Sequence, residues 1–189
     1  MKPLLRFDGV TLRRGGRLLF EGLDLKVGPG EALHVTGPNG SGKTSLIRLA
    51  AGLLRAESGR VERTELALSD EALALDREVP LAKALRFWTG AERLDAAMEA
   101  LGLTRLAEVP VRLLSSGQAK RATLARVAAS GTKLWLLDEP LNGLDAEGAE
   151  RLEALLTGHR ASGGAVVAAS HATLGGDWAR LELGQGDIA

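Results

Sequence analysis

The chain contains no cysteine, which excludes disulfide bonds and thiolate metal sites and is typical of a protein of a reducing compartment. It also contains no tyrosine, and aromatic residues make up only 3% of its 189 residues. A site that needs an exposed aromatic ring therefore has few candidates. The histidines are too far apart in sequence to indicate a metal cluster; they are His34, His159 and His171.

Neither a net charge nor a long apolar segment marks this chain. Its 24 basic residues balance 24 acidic ones, so no overall field favours nucleic acid or an anionic membrane as a partner. No apolar run approaches the ~18 residues of a spanning helix, and the amino-terminal M-K-P-L-L-R-F-D lacks the apolar stretch of a signal peptide. We therefore expect a soluble, cytoplasmic protein with one core, or one core and a small lobe.

The most informative segment reads G-P-N-G-S-G-K-T and matches the whole phosphate-binding pattern G-x-x-x-x-G-K-[ST]. Glycines lack a Cβ atom, so the backbone can wrap its N–H groups around phosphate oxygens. We predict that Lys43 reaches the β- and γ-phosphates and that Thr44 offers its hydroxyl to Mg²⁺. The nucleotide-binding residues predicted here are Gly37, Pro38, Asn39, Gly40, Ser41, Gly42, Lys43, Thr44 and Ser45.

The neighbours of this loop have the order that the motif requires. The apolar run 32–36 precedes it as a buried strand would, and apolar residues at helical spacing follow it as far as Gly52. The positive end of that helix would point at the bound anion. The alternative is a glycine-rich turn that matches by accident, and it does not explain the order of strand, loop and helix.

Apolar runs and helical patterns alternate along most of the chain. Residues 4–27 are typical of a small antiparallel β region, and the runs 133–137 and 165–169 are typical of buried strands with a helix between them. This alternation predicts an α/β fold with a largely parallel sheet that is covered on both sides.

The middle of the chain has a helical pattern instead. We therefore predict a single domain over 1–189. Residues 1–68 and 131–189 would form the core with its β region, and 69–130 would form a helical subdomain.

A second set of chemical groups follows the apolar run 133–137. Ligands of parallel α/β sheets gather at the carboxyl ends of strands, so Asp138 is well placed to hold Mg²⁺, directly or through water. Glu139 could then polarise the water that attacks the γ-phosphate. An isolated D-E-P would more simply start a solvated turn, but the phosphate loop on the same chain favours the functional interpretation.

A possible second anion site lies at Leu114 to Gln118, which reads L-S-S-G-Q and opens a predicted helix. Serine hydroxyls and the N–H groups of a helix start can bind an anion. Taken alone, this segment is better explained as an ordinary serine cap, and it is the order of the motifs that favours the anion site. The residues concerned are Ser115, Ser116, Gly117 and Gln118.

Taken in order, these motifs resemble those of the ATP-binding subunits of ABC transporters over essentially the whole chain. G-P-N-G-S-G-K-T is similar to Walker A, L-S-S-G-Q to the signature motif, L-W-L-L-D-E-P to Walker B, and N-G-L-D at 142–145 to the D-loop. The resemblance implies the P-loop NTPase fold, ATP and Mg²⁺ as ligands, and ATP hydrolysis. It makes His171 the switch histidine, which contacts the γ-phosphate and orients Glu139.

The same resemblance implies partners. ATP would lie in a head-to-tail dimer, between Walker A of one subunit and Ser115–Gln118 of the other. The dimer would sit on the cytoplasmic face of the inner membrane and drive integral membrane subunits, with no part for nucleic acid. Within the superfamily the chain most resembles the ATP-binding subunits of haem exporter complexes of cytochrome c maturation, through stretches such as H-R-A-S-G-G-A-V-V-A-A-S-H.

Two family features are absent from the sequence. No aromatic residue precedes the glycine turn at 15–16 to stack on adenine, and three alternatives are open: a guanidinium plane of Arg13 or Arg14, Phe7, or Phe20. No glutamine occurs between Gly59 and the signature motif, and we predict that Asp70 or Glu71 substitutes weakly for it.

The sequence is compatible with two rival functions. One is another compact ABC exporter, and the other is a soluble ABC ATPase of DNA repair or translation. The second is disfavoured because the chain has no coiled-coil, zinc or tandem ATPase insertion and no basic stripe. A pure binding protein is disfavoured because Glu139 and His171 are both present.

Overall fold

The structure is a computed structural model that describes residues 2–70, 75–89 and 91–184. The chain groups into two compact units. The first comprises 1–68, 132–139 and 159–189, and the second comprises 69–131 and 140–158. None of the described helices is long and apolar enough to cross a membrane.

The first unit contains an antiparallel sheet of three strands, with β1 in the centre. Tight glycine turns suit the right-handed twist of a hairpin, and here Gly15 and Gly16 have φ angles of 57° and 81° between β1 and β2. The β region predicted for 4–27 is therefore confirmed. The strands are β1 at Leu5–Arg14, β2 at Arg17–Val27 and β4 at Ser58–Arg63.

A five-stranded sheet completes the first unit, in the order β5-β6-β7-β3-β8. Strand β3 pairs in parallel with β7 and with β8, and β6 pairs in parallel with β7. Every residue of β6 and of β7 is buried, as expected for strands covered on both faces. The bounds are β3 at Ala32–Thr36, β5 at Leu66–Ser69, β6 at Leu134–Asp138, β7 at Ala165–Ala169 and β8 at Ala179–Glu182.

This parallel pairing places the functional segments. Because β6 and β7 run side by side in register, with Asp138 opposite Ala169, the residues that follow both strands lie at one edge of the sheet. Strand β3 ends at the same edge and leads into helix α1, Lys43–Ala51. The phosphate loop and the acidic pair therefore converge, as the sequence predicts.

The second unit is mainly helical. It contains α2 at Leu81–Arg86, α3 at Ala91–Ala100 and α4 at Ser116–Ala129, with short 3₁₀ turns at Thr104–Leu106 and Val111–Leu113. The final helix, α5, runs over Ala146–Ala161 and belongs partly to each unit. The second unit buries leucines on α2, on α3 and in the turn that follows α3. The fully buried ones are Leu81, Leu85, Leu94, Leu101 and Leu103.

The two units differ from the sequence-based division at two places. The sequence assigns residue 131 and residues 140–158 to the core, whereas the structure groups both with the helical residues. One contact that draws 140–158 to the helical residues is visible at two glycines. A Cβ atom on Gly117 would lie 2.9 Å from the carbonyl oxygen of Gly143. The backbone of the D-loop motif therefore runs directly against the start of α4.

His159, near the carboxyl end of α5, packs its ring against strand β6. Its ring stacks on Trp135, with centroids 3.6 Å apart and planes 10° from parallel. Burial lowers the pKa of His159 below its ordinary value, and backbone hydrogen bonds with Lys133 and Ala165 oppose this only in part. The ring is therefore held neutral against strand β6.

This stack predicts a pH dependence of stability. Because the pKa of His159 is lower in the folded chain, the unfolded chain binds a proton first as the pH falls below about 6.5. The contribution of the neutral ring is present above that pH, and it is lost as the pH falls toward the folded-state pKa. We expect His159→Phe, which keeps a stacking ring, to flatten the fall in melting temperature between neutral and mildly acidic pH. Equal slopes for the two proteins would contradict this role.

Candidate functional site

The phosphate loop leads into a helix start that is not capped by a side chain in the described part of the chain. Gly42 caps helix α1 with a φ of 105° and provides no side-chain hydrogen bond, and the first turn of the helix has no acidic residue. The first N–H groups of a helix have no intrahelical acceptor, and here no capping side chain takes their place. They are therefore free to bind an anion at the positive end of the helix dipole.

Lys43 is buried at the centre of this loop. Its Nζ donates to the carbonyl oxygens of Gly37, at 2.8 Å, and of Pro38, at 3.1 Å. These contacts hold the ammonium group of Lys43 against the backbone of the loop. Nearby, the Oγ of Ser41 is buried with no hydrogen-bond partner among the described residues. A buried hydroxyl without a partner is costly unless a ligand or water satisfies it, which fits a loop that is completed by its ligand.

Gly37 is required by the packing of the loop as well as by its backbone angles. Its φ is 138°, a conformation that L side chains rarely adopt. A Cβ atom here would overlap the carbonyl oxygen of Leu183, just after β8, and would lie 2.8 Å from Ser41 Oγ. The close approach of two backbone segments therefore fixes where the loop begins.

The two residues predicted to hold Mg²⁺ lie together. The Thr44 hydroxyl donates to Asp138 Oδ1 at 3.2 Å, and Asp138 is only 4% exposed. Hydroxyl and carboxylate oxygens are the hard donors that Mg²⁺ prefers, and this ion keeps several waters and phosphate oxygens instead of taking an all-protein cage. That fits a site with two protein oxygens, and the described residues contain no cluster of three or more potential metal-binding side chains of the His, Cys, Asp and Glu types.

Glu139 has an unusual backbone. It is the single non-glycine residue with a positive φ, 45°, in the described part of the chain. Its N–H still donates to the Ala169 carbonyl at 2.8 Å, so the chain turns immediately after the last ladder bond between β6 and β7. Such a conformation costs on the order of 1 kcal/mol and is found preferentially where function requires it.

The turn brings Glu139 to His171. The Nε2 of His171 lies 3.5 Å from Glu139 Oε1, and the His171 N–H donates to Glu139 Oε2 at 3.4 Å. The Glu139 side chain is 14% exposed and that of His171 is 50% exposed. The two residues predicted to be catalytic therefore form one pair, with the carboxylate sheltered and the imidazole facing solvent.

The signature segment lies in the second unit, where Ser115 and Gln118 form a complete capping box. The Oγ of Ser115 accepts from the Gln118 N–H at 3.2 Å, and Gln118 Oε1 accepts from the Ser115 N–H at 2.9 Å. Both side chains are thus used in holding the helix start. The remaining groups for an anion are the hydroxyl of the exposed Ser116 and the N–H groups of Ser116 and Gly117, which precede the first intrahelical bonds of α4.

The structure places each alternative for the missing adenine-stacking aromatic, and Phe20 is partly buried against the core. Phe7 is fully buried in the core, so the prediction that it approaches the nucleotide is wrong. Arg13 forms an ion pair with Glu57 at 3.3 Å. Arg14 reaches the phosphate loop, with its Nη1 3.5 Å from Ser45 Oγ. Arg17, which the sequence-based prediction missed, lies close to Gly40.

The proposed replacement for the missing glutamine stays a prediction. Glu71 lies outside the described residues. Asp70 acts on Arg126: burial lowers the pKa of the Arg126 guanidinium, and the Asp70 carboxylate opposes that shift. Arg126 in turn lies 5.0 Å over the Trp88 ring. Asp70 is thus engaged within the helical unit.

The fold and the loop chemistry together define a nucleotide-hydrolysing P-loop protein, and comparison with known families places it further. The sequence profile of the ABC transporter family matches residues 20–142. Among solved structures, an ATP-binding subunit of an ABC transporter superposes with a TM-score of 0.82 at 21% identity, over 89% of this chain and 79% of the other. A nucleotide-free ATP-binding cassette superposes with a TM-score of 0.75 at 22% identity, over 90% and 82%. At these identities the likeness shows the fold.

Curated relatives are much closer in sequence. The cytochrome c biogenesis ATP-binding export protein CcmA of Sphingopyxis alaskensis is 54% identical, over 92% of this chain and 93% of the relative. The protein of the same name from Novosphingobium aromaticivorans is 57% identical, over 87% of each chain. The chain therefore belongs to the ABC transporter family, as an ATP-binding subunit that hydrolyses ATP.

Proposed function

We propose that this subunit drives the haem exporter complex of cytochrome c biogenesis, from the cytoplasmic face of the inner membrane. The observation that carries this proposal is the similarity to the CcmA proteins, which extends over 93% of the Sphingopyxis relative at 54% identity. A match of that length and identity covers the segments outside the ATPase motifs as well. A different compact ABC exporter is the second candidate, and the names of the two relatives above favour an export protein over a soluble ABC ATPase.

Hydrolysis is proposed to use the pair formed by Glu139 and His171. The sheltered carboxylate accepts a proton from the attacking water, and the imidazole fixes the direction of that carboxylate. Lys43 and the N–H groups at the start of α1 bind the phosphates, while Thr44 and Asp138 hold Mg²⁺. When bound, the ion neutralises charge on the transferring phosphate.

The site is proposed to be completed by a second copy of the chain, arranged head to tail. Each phosphate loop offers donors to one side of the γ-phosphate. The start of α4 around Ser116 and Gly117 is a second helix amino terminus that can donate hydrogen bonds to an anion. The backbone of Gly143, which belongs to the D-loop motif, lies close to Gly117 in space. Two copies with these segments facing each other would enclose ATP from both sides.

An exposed aromatic pair supports a protein partner for the helical unit. Phe87 is 82% exposed and Trp88 is 44% exposed, and their rings make an edge contact 5.2 Å apart. They line a cavity of about 520 Å³ together with Leu75 and Val79. Large apolar side chains at such exposure mark interaction surfaces, and the proposed occupant is a membrane subunit of the exporter.

The proposal is tested in the source organism by deleting the gene and restoring it in four forms. We expect the deletion strain to lack c-type cytochromes with covalently bound haem, as detected by haem staining of a gel. The wild-type gene should restore them. Lys43→Ala is expected not to restore them, because ATP binding is lost. Phe87→Ser is expected to restore them poorly, although the purified variant hydrolyses ATP normally.

The outcomes separate the candidates. Normal c-type cytochromes in the deletion strain would overturn the assignment to cytochrome c biogenesis while leaving the ATPase function intact. A Phe87→Ser protein that works fully would overturn the assignment of the aromatic pair to a membrane subunit. Glu99→Gln, a change at an exposed site on α3 in the same unit, is the matched control and should behave as wild type.

A further inference from the structure

The hairpin of β1 and β2 carries two arginines toward the phosphate loop. Arg14 and Arg17 are register partners on either side of the two-glycine turn. The Nη1 of Arg14 lies 3.5 Å from the Oγ of Ser45 in the first turn of α1. A Cβ atom built on Gly40 would lie 3.6 Å from the Nη1 of Arg17. Both guanidinium groups therefore border the loop that binds phosphate.

Arg14 and Arg17 each bring a positive charge to the border of this loop. None of the ion pairs among the described residues includes Arg14 or Arg17, and both side chains are exposed. Like charges placed directly opposite on paired strands repel each other. The first turn of α1 adds positive potential and no acidic residue. An anion between the hairpin and the loop would relieve this repulsion.

We propose that Arg14 and Arg17 form a guanidinium clamp on the phosphate chain of the nucleotide, so that the site selects nucleoside triphosphates by charge and discriminates weakly between bases. The inference rests on the proposed ATP-binding function of the loop. Residues 13–18 of the hairpin include no aromatic side chain, so this part of the site has no ring to stack on a base. Guanidinium forks donate to two phosphate oxygens at once.

The neighbouring Arg13 offers a matched control. It lies on the same hairpin and carries the same charge, but its Nε lies 3.3 Å from Glu57. Arg13→Gln therefore changes the net charge of the hairpin as much as Arg14→Gln does, without removing a group that borders the loop. If Arg13→Gln and Arg14→Gln differ in their affinity for the ligands, the cause is the position of the arginine and not the net charge of the hairpin.

The test is calorimetric binding of ATP, CTP and inorganic tripolyphosphate to wild type, to Arg13→Gln and Arg14→Gln as the pair matched in charge, and to the double variant Arg14→Gln/Arg17→Gln. For wild type we expect the dissociation constants of ATP and CTP to differ by much less than the roughly tenfold or more that a stacking ring can supply. The double variant should weaken binding of all three ligands at least about tenfold and in similar proportion. The dissociation constants of the double variant should also depend less on salt concentration than those of wild type. Arg13→Gln should bind as wild type.

Three results would overturn the clamp. The first is unchanged binding by the double variant when its circular dichroism and melting temperature match those of wild type. The second is weakened binding of ATP with unchanged binding of tripolyphosphate, which would mean that the arginines stack on the base. The third is strong preference of wild type for ATP over CTP. If wild type binds no nucleotide at all, the proposed ATP function fails as well, so the two failures are distinguishable.

Discussion

Glu139→Gln protein is expected to bind ATP as tightly as wild type and to hydrolyse it about 10²- to 10⁴-fold more slowly, the usual contribution of a general base. The amide keeps the size of the side chain and can still contact His171, which lies 3.5 Å away, but it does not accept the proton of the attacking water. ATP should therefore remain between two subunits. Phosphate release measures the rate, and light scattering with and without Mg-ATP should show a shift from monomer to dimer.

Two controls make this result specific. Removal of Mg²⁺ with a chelator should abolish both hydrolysis by wild type and dimerisation of the variant, because Thr44 and Asp138 are proposed to act through the ion. Glu147→Gln changes an exposed glutamate that pairs with Arg151 on α5, and it should leave turnover unchanged. If Glu139→Gln retains turnover within a few-fold of wild type, Glu139 is not the base.

The parts of the site that lie in one segment could be predicted from sequence. The phosphate loop is a strand, a glycine turn and a helix start in 21 consecutive positions, 32–52, and each part has its own local signal. The observed bounds of β3 and α1 match that prediction. Asp138 and Glu139 were also predictable, because parallel pairing alone places the ends of β6 and β7 at one edge.

Contacts between distant segments could not be predicted in this way. Arg17 resembles any charged residue beside a hairpin turn, and its place near Gly40 depends on how the antiparallel sheet packs on the loop. Phe7 looks like a candidate for adenine because aromatic residues are few, yet its register on β1 turns it into the core. The positive φ of Glu139 could not be predicted from sequence, because glycine is the residue that usually adopts a positive φ.

A mixing experiment with two inactive variants tests the head-to-tail arrangement. Lys43→Ala removes the ammonium beneath the phosphate loop, and Ser116→Glu places a negative charge where the start of α4 would face phosphate. Each change alone is expected to reduce turnover by at least about a hundredfold, as the loss of a positioned donor does. Ser116→Glu should not unfold the helix, because a carboxylate in the first turn favours the helix dipole. Melting temperature therefore checks the fold of both variants.

In a head-to-tail dimer the two defects fall in the same site of a mixed pair. The other site combines the intact phosphate loop of the Ser116→Glu subunit with the intact α4 of the Lys43→Ala subunit. An equal mixture should therefore recover about a quarter of wild-type turnover, since half of the dimers are mixed and each keeps one of two sites. Turnover no higher than that of the separate variants would contradict the arrangement.

A second mixture shows which residues share a subunit. Glu139 and Lys43 serve the same phosphate loop, so in a mixed dimer of Lys43→Ala with Glu139→Gln each site contains one defect. That mixture should stay inactive, although its subunits can associate. Recovery with Ser116→Glu and none with Glu139→Gln would place the start of α4 across the dimer from the loop and Glu139 beside it. No recovery in either mixture would mean that each chain closes its own site, and the exposed capping box at Ser115 would then serve only to begin the helix.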